Sequence, residues 1–129
     1  MEIPLRAALL DWLAGDAVLA GAITQFAEEA PRRASLPWLG IAASASSDWS
    51  TKTEAGREVR VALELHCRGD RPSAAGDLVS AIEQRIAAFP RAQAGFGVAG
   101  VRFLRARAEQ RDAGNRAVLL EYRFRLLSD

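Results

Sequence analysis

The sequence predicts an α+β fold: a mostly antiparallel sheet of about four strands with helices packed on one face. Three observations carry this expectation. From Glu58 the residues alternate strictly, with Val59, Val61, Leu63, Leu65 and Cys67 on one face and Arg60, Glu64, His66 and Arg68 on the other. Two other segments, 4–13 and 72–89, carry their apolar residues at helical spacing instead. The end of the chain reads as two strands around a turn-forming stretch, "RDAGNR". Alternation of this kind describes a sheet with one wet face, since a strand covered on both sides would be apolar throughout.

The elements follow in order. Pro4 suits the first turn of a helix, where its missing N–H costs nothing. Leu5, Ala8, Leu9, Trp12 and Leu13 share one side of that helix, with Asp11 opposite. Gly15 ends it, and Asp16 can cap a shorter helix through Val18, Leu19 and Ile23. Residues 24–37 are irregular, with "QFA" a short strand and "EEAPRRAS" a surface loop held open by Pro31. "PWLGIAASA" is a short apolar strand that can pair with "REVRVALELHC". "GDRPS" stops that second strand and opens a helix with Pro72 in its first turn. Leu78, Val79, Ile82, Ile86 and Phe89 form its apolar stripe; Asp77, Ser80, Glu83 and Gln84 form its wet side, and Pro90 closes it. A glycine-rich connector leads to strands over 100–110 and 116–127. With Ala113 and Gly114 at the turn centre, Phe103 faces Phe124 and Val101 faces Leu126, which places Leu120 and Tyr122 on the buried side.

With 129 residues the chain makes one domain, 1–129, large enough for a real core. The formal net charge of +1 argues against a dedicated nucleic-acid binder, which concentrates basic charge. A lone cysteine excludes an internal disulfide. The opening "MEIPLRAALLDWLAGD" lacks the order of a signal peptide, and no apolar run reaches bilayer length. Synthesis in the cytoplasm and no membrane partner are the expectations.

No catalytic constellation emerges. "GFGVAG", Gly95 to Gly100, matches the dinucleotide fingerprint by letter, but it follows a finished helix and leads into a strand. The pyrophosphate site needs the opposite order, so the stretch reads as a flexible connector. His66 and Cys67 are neighbours on a strand, and successive side chains point to opposite faces, which separates imidazole from thiol. One histidine and one cysteine also cannot build a zinc site. Glu28 and Glu29 read as solvated surface. Arg102, Arg105, Arg107, Arg123 and Arg125 crowd the last hairpin, with Arg105 and Arg107 on a different side from the others in the register above. Glu109 and Glu121 are placed to pair with them, so ion pairs or subunit contacts outweigh a polyanion site. No catalytic residue, cofactor or metal site is expected.

"LRAALLDWLAGDAVLAGAI" together with "EEAPRRASLPWLGIAASASSDWSTKTEAGREVRVALELHCRG" resembles a family of small proteins encoded in tail-gene clusters of long-tailed phages and gene transfer agents. The later helix and the closing hairpin agree with it, and "DWSTKTEAGRE", Asp48 to Glu58, is the most specific part. The resemblance implies a tail terminator, a homo-oligomeric ring (a hexamer) seated on the finished tail tube of the particle. Such a ring stops polymerisation of the tube protein and offers a surface to the head-side stopper or connector, while DNA passes its lumen without specific binding. A related head–tail connector or completion protein is the nearest alternative. A monomeric small-ligand module would need convergent polar groups in an apolar cavity, and a nucleic-acid accessory protein would need more basic charge.

The resemblance gives a purpose to residues 46–57, the long tip between the two middle strands. Long tips are uncommon without a function. Serine and threonine around one aromatic suit a protein contact: adaptable hydrogen bonds around an anchor. Asp48, Trp49, Ser50, Thr51, Lys52, Thr53, Glu54 and Arg57 are the candidate interface, with Trp49 as its anchor. The competing reading folds Trp49 back onto its own sheet.

Overall fold

A computed structural model describes residues 1–29, 35–68, 72–111 and 114–129, with backbone alone at Pro72 and Ala74. The elements run α1 (Glu2–Ala14), α2 (Ala17–Ala22), β1 (Gln25–Ala27), β2 (Trp38–Asp48), β3 (Gly56–Arg68), α3 (Pro72–Ala87), β4 (Ala92–Gln93), β5 (Phe96–Gln110) and β6 (Asn115–Ser128). The loop around Pro31, the stop at Gly69 and Asp70, and Ala113 of the last turn lie outside the described residues. Among those residues no helix is long and apolar enough to cross a membrane.

Local chemistry explains the helices. α1 buries Leu5, Leu9, Leu10 and Leu13, a stripe at three- and four-residue spacing. The Asp16 carboxylate accepts the Leu19 N–H at 3.1 Å and starts α2. Gly15 is right-handed, φ −77°, so backbone freedom is not its use here. A β-carbon at that position would lie 3.2 Å from Arg85 Nη2, and Arg85 is the lock between α1 and α3. Its Nε donates to the Trp12 carbonyl at 2.7 Å, while the Trp12 indole donates to the Arg85 carbonyl at 2.7 Å. The guanidinium carbon lies 3.3 Å from the indole centroid, adding a cation–π contact to the two hydrogen bonds.

The expected four-stranded antiparallel sheet with helices laid on one face is not what forms. The sheet has six strands in the order β1-β2-β3-β6-β5-β4, and β1 runs parallel to β2. It curls into a half-barrel, and the core fills the space between it and the three described helices. The short strand expected at "QFA" forms as β1, but two other features escaped the sequence signal. β4 is too short to show alternation. Curvature comes from bulges between Ile41 and Ala43, Val98 and Gly100, and Phe103 and Arg105, which add residues without changing composition.

The alternation of β3 holds: Val59, Val61, Leu63, Leu65 and Cys67 are all buried. β3 and β6 are the centre, paired from Gly56↔Leu127 to Arg68↔Asn115. The last hairpin is in a different register from the expected one. Phe103 pairs with Tyr122 and Val101 with Phe124, because the bulges shift β5 along its partner. Leu120 and Tyr122 still share the buried side. β5 also begins earlier than expected, so Phe96 to Gly100 of the glycine-rich stretch is strand and the connector is shorter.

Tyr122 is the chain's single tyrosine and is 3% exposed. Burial, and secondarily the charge of Glu83, push its phenol up from 10.0 to about 12. The unfolded chain therefore releases this proton first. The stability tied to the neutral phenol is complete below pH 10 and drains away as pH rises from 10 to about 12. Absorbance titration of phenolate should show no ionisation of the folded protein near pH 10; a midpoint there would mean that Tyr122 is wet.

Candidate assembly surface

The β2–β3 ladder continues to Ser46↔Val59, Ser47↔Glu58 and Asp48↔Arg57, so the tip proper is 49–55, shorter than the sequence suggests. Its polar residues serve its own backbone. Ser50 Oγ donates to Asp48 Oδ1 at 2.7 Å and accepts the Gly56 N–H at 3.1 Å. Thr51 Oγ1 accepts the N–H groups of Thr53 and Glu54 at 3.3 and 3.0 Å, and Thr51 N–H donates to the Glu54 carbonyl at 2.9 Å. Hydroxyls that bond locally in this way hold a turn without burying apolar surface.

Gly56 lets the tip close. A β-carbon there would come within 2.4 Å of the Trp49 carbonyl oxygen and 3.0 Å of the Leu126 carbonyl oxygen, both backbone atoms. Gly56→Ala should therefore cost about 1–3 kcal/mol by overpacking and displace the tip. Chemical denaturation checks the cost, and a wild-type midpoint would show that the two strands part freely at this end.

Trp49 is half-buried, and the Arg125 guanidinium lies 5.3 Å from its ring centroid. The indole borders a hollow with Gly100, Val101, Arg102 and Arg123, so the tip leans over β6 and β5 of its own sheet. Of the sequence-derived residues, Asp48, Trp49, Ser50 and Thr51 are tied into one turn. Lys52, Thr53 and Glu54 are exposed at its end, and Arg57 reaches Ser46 Oγ at 3.4 Å.

The wet face of the sheet is a charge lattice. The bulge after Phe103 brings Arg105 onto the same face as Arg102 and Arg123, correcting the opposite-side expectation: Arg102 pairs with Arg123 and Arg105 with Glu121. Arg105 and Glu121 form a two-pronged pair that lowers the Glu121 carboxyl and raises the guanidinium, chiefly by hydrogen bonding. Glu58 serves Arg123 at 3.6 Å and Arg125 at 3.2 Å. Arg111 joins Glu64 at 3.3 Å and Glu109 at 3.0 Å, and Arg107 joins Glu109 at 3.0 Å. The partners Glu58, Glu64 and Arg111 were not among the expected site residues. Their period-two spacing was legible, but the bulges hid which rung each occupies.

His66 stacks on Trp38 with centroids 4.0 Å apart and rings 8° from parallel, and its Nε2 lies 2.5 Å from Glu64 Oε1. Cys67 faces the core, where burial raises its thiol and its Sγ lies 3.7 Å from the Arg116 carbonyl. Glu28 is exposed, 3.9 Å from Arg6. Among the described residues no group of three potential ligands could hold a metal. A cleft of about 500 Å³ crosses the wet face from Ala43–Ala45 to Leu104, and the Arg105–Glu121 pair on its wall is already mutually satisfied.

Comparison with known proteins gives the arrangement its context. No curated protein matches the chain. A solved chain from the "Virion of native gene transfer agent (GTA) particle" has this fold, with a TM-score of 0.81 over 98% of this chain and 97% of that one, at 22% identity. The family model described as tail completion protein gp17 matches residues 7–127, and with nearly every element inside that span the chain belongs to the tail completion protein gp17 family.

Proposed function

We propose that this protein forms a homo-oligomeric ring, a hexamer, that caps the tail tube, ends its polymerisation and joins it to the head-side connector. The observation that carries the reading is the match to the tail completion family over residues 7–127. A member of that family is a structural component of a phage-type tail, and the virion likeness in fold agrees. The turn at 48–55 supplies a ready contact, with Trp49 anchoring it and Lys52, Glu54 and Arg57 setting orientation at the rim. DNA passes the lumen without specific binding, consistent with a wet face whose arginines are largely paired with carboxylates.

Cryo-electron microscopy of particles tests the proposal. Cyclic symmetry of this chain at the head-proximal end of the tail is the expected result; a position in the baseplate, or absence from particles, overturns it. Tails of uncontrolled length after deletion of the protein separate a terminator from a connector, whose loss leaves tails of normal length without heads. The role is non-enzymatic. Cys67→Ser combined with His66→Ala should therefore leave particle infectivity or gene transfer nearly intact, with a packing cost of about 1 kcal/mol at the buried thiol. Abolished transfer by a correctly folded double variant would refute this.

A further inference from the structure

Among the described residues, both edges of the sheet are open over the same rungs. β1 pairs with β2 only at Trp38–Gly40, and β4 pairs with β5 only at Phe96 and Gly97, with one further bond from the Val98 N–H to the Arg91 carbonyl at 2.7 Å. The ladder connects Ser47 through Glu58 and Arg125 to Gly100, and Ser44 through Val61 and Tyr122 to Phe103. The two short edge strands thus sit at opposite ends of the sheet. Between them Ser44–Ser47 on one edge lies level with Gly100–Phe103 on the other. Both runs are free of bulges, with bulges just beyond them. Neither run contains proline or lysine, the usual guards of a strand edge.

We infer that the open edge of β5 in one copy of this chain pairs with the open edge of β2 in the next, making one continuous sheet around the ring. This rests on the ring reading above and specifies the joint. β2 and β5 run in opposite senses within the sheet, so neighbours related by rotation about an axis along the strands pair antiparallel, the better-bonded arrangement. Unlike edges joining head to tail generate a repeat that closes when the rotation divides a circle, and a curled sheet supplies that rotation. The side chains fit as well. Phe103 is 45% exposed and Leu104 36% exposed on the β5 edge. At the other edge, Glu2 of α1 bonds Ser44, and its neighbour Ile3 is 74% exposed. Ser44 and Phe103 share a rung and pair with the buried Val61 and Tyr122 respectively, so the join sets Phe103 of one copy beside the first turn of α1 in the next. Arg102 makes no ion pair with any described residue, and the same holds for Asp48 at the end of β2.

Site-directed cross-linking in assembled particles tests the joint. Ala45 and Arg102 are exposed on one rung, so Ala45→Cys with Arg102→Cys, in a Cys67→Ser background, puts one thiol on each edge. A bis-maleimide of about 10 Å tolerates an offset of about three residues between neighbours. The expected result is a covalent ladder rising one chain at a time to the copy number of the ring, with neither single-cysteine variant cross-linking. Self-linking by a single-cysteine variant, or visible rings that give no ladder, overturns the inference and leaves the ring proposal standing. Particles in which this chain forms no ring overturn both. Phe103→Ser provides a second readout: the isolated chain should stay folded by circular dichroism, while ring occupancy on tails falls at least tenfold. Unchanged occupancy counts against the joint.

Discussion

Phe124→Ala should remove about 3–5 kcal/mol of unfolding free energy, the largest loss expected from any single core truncation here. Phe124 is fully buried at the middle of the central strand, paired with Val59 on one side and Val101 on the other. Its ring meets Phe89 edge-on, with centroids 5.9 Å apart and planes at 79°, so it also fastens the end of α3 to the sheet. Truncation leaves a cavity bounded by a paired ladder that cannot collapse to fill it. A domain of this size has a total stability of about 5–15 kcal/mol, so the loss removes about a fifth of it at least and nearly all of it at the low end. Equilibrium urea unfolding checks the value, and a loss below about 1 kcal/mol would show that the sheet closes around the space.

Trp49→Ala should act on assembly. In the isolated chain the indole has one notable partner, the Arg125 guanidinium, and a half-exposed cation–π contact contributes about 0.5–1 kcal/mol. The melting temperature should fall by no more than a few degrees. In the proposed ring the same indole is an anchor, and truncating an interface aromatic costs about 2 kcal/mol or more at each equivalent contact. Lying beside Arg125 over its own sheet is also the geometry of the competing reading, in which Trp49 folds back, and the variant separates the two. Tails of uncontrolled length, or tails without heads, are the expected phenotype. Unfolding of the isolated variant, with normal assembly of what survives, would assign Trp49 to the subunit's own packing.

Reading strands and helices from the sequence succeeded where side chains repeat. Val59 to Cys67 and Ile82 to Phe89 each face the core at the spacing that their pattern announces. It failed where geometry depends on a residue that repeats nothing. The bulges on β2 and β5 change the face of everything beyond them, so Phe103 met Tyr122 instead of Phe124 and Arg105 joined the face of Arg102. β4 adds an edge to the sheet with hardly more residues than one rung requires. The tip was legible as polar with one aromatic. That its hydroxyls would tie Asp48 to Gly56 was not, because Ser50 bonds both partners only after the strands have set their separation.

The placement of the last strand has a consequence for how the chain is made. β6 ends at Ser128 and lies between β3 and β5, so until it leaves the ribosome β3 has only β2 beside it. The N-terminal helix waits as well, because Trp12 finds its partner at Arg85, a separation of 73 residues. A nascent chain stalled before β6 therefore has its β2–β3 hairpin unpaired with the rest of the sheet. Long-range pairing of this kind is slow to form. Here the sheet becomes continuous from β2 to β5 only once β6 has joined it.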